Sequence, residues 1–349
     1  TGVTKDAILK GLFKDLDIEL TLEDFEFADL DPTSVVENCR VNGSNLKITS
    51  AGKYAGGFTG MAGNSDISDS YVDGLTSVNA GADYAGGFAG RATLGSGVIM
   101  AGSEEGDITD KGLLGTVSDL LAKLLGSNED VALLNLVGIS SSKLDNCDVK
   151  GSNFTVQAKN YAGGLVGQGD GLEVAGTQNV NEISGIGKVT ATESLAGGVA
   201  GQLLPASGSG ILDSTLTVAN VLSFSLKDVS ISGGTEGMIV EAGKDYAGGA
   251  VGQATGGTIE NVNVVDLVNV KADNYAGGFI ALASPGDVIE TGDGAHGLNI
   301  LGLVEIGDLL SVASVIETKM TSCRVSGKEL IVETTGEDQN KTYFAGGFI

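Results

Sequence analysis

The amino-acid sequence predicts an all-β fold: a parallel β-helix (β-solenoid) of about seven three-strand coils with helical insertions. Three observations carry this expectation. One phrase returns seven times in 349 residues, an aromatic residue or Leu followed by Ala-Gly-Gly and usually a bulky apolar residue. Its repeat residues are Tyr54, Gly56 and Gly57; Tyr84, Gly86 and Gly87; Tyr161, Gly163 and Gly164; Leu195; Tyr246, Gly248 and Gly249; Tyr275, Gly277 and Gly278; and Phe344, Gly346 and Gly347. The residues upstream align as well: Asn38-Cys39-Arg40-Val41-Asn42-Gly43 then Leu46-Lys47-Ile48-Thr49 in one copy, Asn146 to Gly151 then Phe154-Thr155-Val156-Gln157 in another. Finally, Ala55 and Ala85 are 30 residues apart and Ala247 and Ala276 are 29 apart. Three short strands and three turns fill that length as one coil, whereas a propeller blade needs about 40 residues and four strands.

Taken along the chain, residues 1–35 read as an N-terminal cap or helical segment, on the apolar run Ala7-Ile8-Leu9-Lys10-Gly11-Leu12-Phe13. Residues 36–349 read as solenoid. Within a coil the segments alternate with period two and break at turn residues such as Gly43, Gly151 and Gly327. Stacked coils lie about 4.8 Å apart, so like residues fall on like and seven coils extend about 34 Å. Cys39, Cys147 and Cys323 share one repeat position with Ser70, which predicts small buried side chains stacked at one level; a disulfide framework or zinc site does not fit. Gly-Gly within a strand predicts a bend or a close backbone approach. Strict alternation would put Tyr54 and Phe58 on one side and Ala55, Gly57 and Thr59 on the other; the aromatic side is expected to face inward as core, the alternative being an outward face that something must cover. Gln168, Gln202 and Gln253 share a position and predict an internal amide ladder.

Insertions interrupt the coils at about 91–140, 203–225 and 281–318. Leu at helical spacing between Gly112 and Leu125, and the apolar run from Leu298 to Ile316, predict helices; the stretch from Leu216 to Phe224 predicts an extra strand pair. These apolar faces are expected to pack along the solenoid flank or to form a surface for a neighbouring domain or copy. The last phrase stops at Ile349 in mid-repeat, which predicts that the chain is a segment of something longer.

Composition narrows the function classes. The net charge of −25 opposes binding to nucleic acid or anionic lipid. No run of about 18 apolar residues suits a membrane span, so no direct membrane insertion is expected. The 56 glycines without a G-X-Y period exclude collagen, and 42% hydrophobic content excludes a disordered linker. Enzymatic chemistry has little to rest on: the 20 basic residues are scattered, the sole His (His296) lies in a glycine-rich loop, and no nucleophile elbow, metal-ligand His pair or phosphate-binding loop appears. No catalytic residue and no cofactor is assigned. The acidic spacing Asp66, Asp69, Asp73 and the loop carboxylate Asp170 are candidates for Ca²⁺ through oxygen ligands.

The Tyr-Ala-Gly-Gly-Phe-x-Gly phrase, with Asn-Cys-x-Val-x-Gly upstream, resembles the YAGGF/GLUG-like repeats of large bacterial cell-surface proteins. The resemblance covers residues 36–349 and is specific for β-solenoid repeats. It implies a non-enzymatic, extracellular, cell-surface role as a rigid stalk, adhesin module or filament subunit. The partners it implies are a host or neighbouring-cell surface protein or glycan, or copies of the chain end to end. A polysaccharide-binding or polysaccharide-degrading β-helix enzyme, with its site beside the insertions, is the alternative.

Overall fold

The computed structural model describes residues 33–93, 95–96, 139–207, 221–286, 298–300, 304–306, 317–338 and 342–349, all within the compact unit Thr33–Ile349. Among the described residues there are strands and turns and no helix. The strands stack parallel, coil on coil, as a β-solenoid. Seven coils occupy residues 34–63, 65–93, 143–170, 173–204, 224–255, 257–284 and 318–349. The expected cap at 1–35 lies outside the described residues up to 32; Ser34–Glu37 is already a strand of coil 1, paired with Ser65–Ser68 of coil 2.

Three sheets form the coil wall. The largest has fifteen strands and carries the Asn-Cys-x-Val and Leu-x-Ile segments together with a strand preceding them. The second has seven strands, one Tyr-Ala-Gly (or variant) from each coil, in strict register: Tyr54 on Tyr84, Tyr84 on Tyr161, Tyr161 on Leu195, Leu195 on Tyr246, Tyr246 on Tyr275 and Tyr275 on Phe344. The third has six strands and follows the Gly-Gly corner. A coil is therefore the expected three-sided turn, with the long side itself broken by bulges between Asn42 and Leu46 and at the equivalent places.

The residue types at the corners follow from backbone conformation. Asn38, Asp69, Asn146, Asp228, Asn261 and Ser322 all have φ between 47 and 55°. Asn and Asp enter this left-handed region at lower cost than other residues with a Cβ, and they supply five of these six residues. Their side chains also reach the next coil: Asn146 Nδ2 donates to Asp69 Oδ1 at 3.1 Å and Asn261 Nδ2 to Asp228 Oδ1 at 2.6 Å.

The interior is a set of apolar ladders. Val41, Val72, Val149 and Ile183 stand in register, as do Ile48, Val78, Val156 and Val189. Phe88, Phe154, Phe224 and Phe279 are the largest side chains completely withdrawn from water. Burying such a side chain contributes roughly 1.5–3 kcal/mol, and because every coil repeats the arrangement, stability accrues coil by coil.

All three insertions leave from one corner, the one after the six-stranded sheet, and they leave from coils 2, 4 and 6. In coils 1, 3 and 5 that corner is closed by a single left-handed residue, Asn64 (φ 45°), Gly171 (φ 61°) or Gly256 (φ 59°). In coil 2 the departing Gly95–Ser96 pairs antiparallel with the returning Ile139–Ser140, and in coil 4 Ala206–Ser207 pairs with Val221–Leu222. Of the stretch from Leu216 to Phe224, expected to hold a strand pair, Val221–Leu222 is the returning strand of the second neck, and residues 216–220 lie outside the described residues. Hydroxyl groups bond across the wall where the first and third insertions leave it. Ser142 Oγ donates to Thr93 O and accepts from Ser65 N; Thr318 Oγ1 donates to Ser284 O and accepts from Gly256 N.

Two expectations about the insertions need correction or fall outside view. The run 298–316 was expected to be helical, yet Leu298–Ile300 and Val304–Ile306 form an antiparallel pair. Their sequences, Leu-Asn-Ile and Val-Glu-Ile, alternate with period two and are rich in β-branched residues, which favour a strand. The helix-like stretches at 7–13 and 112–125 lie outside the described residues.

Candidate functional site

The Gly-Gly pair decides which way the signature aromatic residues point. A Cβ on the second glycine would lie 2.1 Å from a carbonyl oxygen of the next coil: Gly57 meets Gly87 O, and Gly164 meets Gly198 O at the same distance. A Cβ on the first would strike its own coil, Gly56 meeting Thr59 O at 1.9 Å. Only glycine allows both approaches, so the chain bends sharply here and passes from the seven-stranded sheet into the six-stranded one.

That bend overturns the expected alternation. Ala55, Ala85, Ala162, Ala196, Ala247 and Ala276 are buried, while Tyr54, Tyr84, Tyr161, Tyr246 and Tyr275 stand half-buried on the outer side. Phe88, Leu165, Val199, Ala250 and Phe279, beyond the corner, are fully buried. Counting alternate residues from Tyr54 to Phe58 fails because the two belong to different sheets. The aromatic side of the Tyr strand faces outward.

The outward tyrosines form a stack. Tyr54 and Tyr84 have ring centroids 5.1 Å apart at 6°, Tyr84 and Tyr161 5.0 Å at 8°, and Tyr246 and Tyr275 4.8 Å at 26°. Leu195, in register between Tyr161 and Tyr246, divides the ladder in two. Burial pushes the phenols of Tyr84, Tyr161 and Tyr246 above their ordinary pKa, with nearby Asp83 adding to the effect at Tyr84 and Tyr161. Because the rings cover one another along the coil axis, their faces are spent on neighbouring rings. What remains for solvent is ring edges and hydroxyls, a poor platform for stacking a sugar.

Beside this stack, the six-stranded sheet places Met61, Arg91, Gln168, Gln202, Gln253 and Leu282 in one row. The amide ladder is present: Gln168 Nε2 donates to Gln202 Oε1 at 2.6 Å and Gln202 Nε2 to Gln253 Oε1 at 2.7 Å. Gln168 and Gln202 are buried and Gln253 is partly open. One coil below Gln168, the Arg91 guanidinium lies 5.3 Å from the Tyr84 ring centroid and binds Asp170 Oδ2 through Nη2 at 2.6 Å and Nε at 3.1 Å. Although burial opposes the charge, that carboxylate and hydrogen bond raise the Arg91 pKa.

The calcium candidates do not converge. Asp170 is engaged by Arg91, Asp69 accepts from Asn146 at a left-handed corner, and Asp66 and Asp73 lie on strands on either side of that corner. Among the described residues no group of three or more His, Cys, Asp or Glu side chains is gathered closely enough to hold a metal ion. His296 lies outside the described residues.

The cysteine position is a ladder, as expected, but its burial depends on the coil. Cys147 is buried, Cys323 half-buried and Cys39 exposed, because Cys147 has a coil on either side whereas the other two lie in the first and last coils. Cys147 Sγ reaches Ile67 O at 3.4 Å and Asp145 O at 3.6 Å, and its N–H donates to Asn181 Oδ1 at 2.7 Å. Burial pushes the Cys147 thiol up to about 12, which makes it inert as a nucleophile. Asn181, Val229 and Val262 complete this ladder in coils where no repeat phrase marks it.

No protein-family model, curated protein or solved structure matches the chain.

Proposed function

We propose that this chain is a non-enzymatic structural and adhesive segment of a large extracellular bacterial surface protein, a rigid solenoid stalk that displays its inserted segments along one edge. The observation that carries this reading is the placement of the insertions. They leave alternate coils at one corner, about 9.6 Å apart at two coil spacings, and the intervening coils are closed there by Asn64, Gly171 and Gly256. Loops held by a rigid scaffold are where binding residues concentrate. The repeat phrase supports a surface protein, because it resembles the solenoid repeats of such proteins.

The test is a variant in which residues 97–138 are replaced by a two-residue Asn-Gly turn joining the existing neck. The intact chain and the variant are applied to arrays of host-surface glycans and immobilised extracellular-matrix proteins. Binding by the intact chain, lost in a variant that still melts cooperatively, is the expected result. Turnover of any arrayed polysaccharide, or undiminished binding by a variant lacking all three insertions, overturns the proposal.

A further inference from the structure

Five of the chain's seven tyrosines belong to the outward ladder, in two blocks. Tyr54, Tyr84 and Tyr161 form one, in coils 1 to 3, and Tyr246 and Tyr275 the other, in coils 5 and 6. Within a block the ring centroids lie 4.8–5.1 Å apart and the planes stay within 26° of parallel. Because the strands run parallel and in register, each ring turns the same edge to the same side. The carbon ortho to one hydroxyl therefore lies beside the carbon ortho to the next, and all five side chains are only half-buried. Between the blocks Leu195 takes the place of a ring, so Tyr161 and Tyr246 stand two coils apart, about 9.6 Å. The other two tyrosines have no tyrosine beside them. Tyr71 stands in register between Arg40 and Asp148, with the Arg40 guanidinium 4.1 Å from its ring centroid, and the Tyr343 hydroxyl donates to Asp338 O.

We propose that the two tyrosine blocks are oxidative cross-linking sites, at which a one-electron oxidant of the haem-peroxidase class joins adjacent coils through dityrosine. Hydrogen peroxide supplies the oxidising equivalents. Each phenol gives up one electron and its hydroxyl proton. The two tyrosyl radicals then join ortho carbon to ortho carbon, and the hydrogen on each of those carbons passes as a proton to the oxygen of its own ring. In sum, two tyrosines and one hydrogen peroxide give one dityrosine and two waters.

The coil wall supplies the arrangement that this coupling needs. Separate radicals must meet by diffusion, whereas reacting atoms held about 3–3.5 Å apart react as parts of one molecule. From a centroid spacing of 5.0 Å, a half-buried ring closes the remaining gap by rocking about its side-chain bonds on the picosecond-to-nanosecond scale. The backbone beneath stays fixed: Tyr84 N donates to Lys53 O and Tyr161 N to Asp83 O, both at 2.7 Å. Tyr84 and Tyr161 also flank the first insertion in sequence, so a link between them closes coils 2 and 3 covalently around its point of departure. The inference rests on the tyrosine ladder alone and stands or falls separately from the display reading.

The test treats the purified chain, at low micromolar concentration, with a haem peroxidase and hydrogen peroxide, and isolates the monomer by size exclusion. Dityrosine fluorescence in that monomer, with a yield per chain unchanged by further dilution, is the expected result. Peptide mapping by mass spectrometry should find Tyr84 joined to Tyr54 or to Tyr161, and Tyr246 joined to Tyr275, each with the loss of two hydrogens. Tyr275→Phe, at a position where coil 7 carries Phe344, should abolish the second-block product and leave the first. Leu195→Tyr, which restores the commoner repeat residue, should add products joining residue 195 to Tyr161 and to Tyr246. Several outcomes overturn the inference: a monomer without dityrosine, dityrosine confined to multimers and vanishing on dilution, cross-links at Tyr71 or Tyr343 in place of the ladder, Tyr161 joined to Tyr246 in the native chain, or no new product from a Leu195→Tyr variant that melts as the native chain does.

Discussion

Replacing Gly164 with Ala isolates the close approach that defines the repeat. The new methyl would sit 2.1 Å from Gly198 O, 3.3 Å from Gly198 C and 2.6 Å from Ile186 Cδ1. Ile186 is a flexible end and can turn aside; the carbonyl oxygen belongs to the ladder and cannot. Relieving the contact requires coils 3 and 4 to part by about 1 Å, overpacking that costs about 1–3 kcal/mol. The same movement stretches Gly164 N to Gly198 O and Leu165 N to Val199 O, both 2.9 Å, at about 0.5–1.5 kcal/mol each. The expected loss is therefore about 2–6 kcal/mol. Gly63→Ala is the control, because a Cβ there meets nothing within 4 Å, and a change of about 0.5 kcal/mol or less is expected. Urea melts followed by far-ultraviolet circular dichroism and tyrosine fluorescence give the two midpoints. Because repeat arrays can unfold in parts, amide exchange at Leu165 and Val199 shows whether the damage starts at that junction. Equal midpoints for the two variants would refute the reasoning, since the glycine would then be serving only as a flexible joint.

Gln202→Ala should cost about 2–4 kcal/mol in the same melts, because it leaves the Gln168 amide donor and the Gln253 oxygen without each other's link and opens a cavity. Alkali should destabilise the chain through Cys147. Its folded pKa of about 12 lies above the ordinary value of 9.0, so its contribution is complete below pH 9 and lost as pH rises towards 12. At about 1.4 kcal/mol per unit, the loss at pH 10.5 is about 2 kcal/mol, and C147S should flatten that part of a melting-temperature profile. Tyr84, Tyr161 and Tyr246, whose pKa values are also raised, add a loss of the same sign at higher pH. Asn146→Ala should cost about 1–2 kcal/mol for the left-handed corner alone, and Asn146→Gly, which relieves φ but forfeits the Asp69 bond, should cost less. Chelator should leave the melting temperature unchanged; a drop on adding EDTA, restored by Ca²⁺, would reveal an ion site.

The stacking order was legible in the sequence because it is written in identities. Seven copies of Ala-Gly-Gly at coil spacing define which residues lie above one another, and Gln168, Gln202 and Gln253 gave up their ladder for the same reason. Direction was harder to read. Whether Tyr54 points in or out depends on a corner at Gly56 and Gly57, and alternation counts hold only within one strand. Asn181, Val229 and Val262 were invisible as members of the Cys ladder because the corner tolerates several small or β-branched residues. A left-handed Asn or Asp precedes Cys39, Cys147, Ser70, Val229 and Val262, and that residue could have marked the corner. The helical reading of Leu298 to Ile316 trusted apolar spacing over β-branching at Ile300, Val304 and Ile306, which is the ambiguity expected of short apolar runs.

The corner chemistry explains how this fold can carry large insertions without losing its register. A coil is held by its neighbours along the axis, through bonds such as Gly164 N to Gly198 O, and hardly at all by the link from one coil to the next. Where the link is short, one left-handed residue turns the chain. Where it is long, an antiparallel neck of two residues brings the strands back at the first and second insertions, and the hydroxyl of Ser142 or Thr318 bonds across the gap at the first and third. The entropy cost of lengthening such a link grows only about 0.6 kcal/mol per doubling, which is small beside the burial in a coil. Inserted sequence can therefore change freely at coils 2, 4 and 6 while the wall stays fixed. A row of outward tyrosines whose faces cover one another has no such freedom. The insertion corner is therefore the surface to test first for the proposed display role.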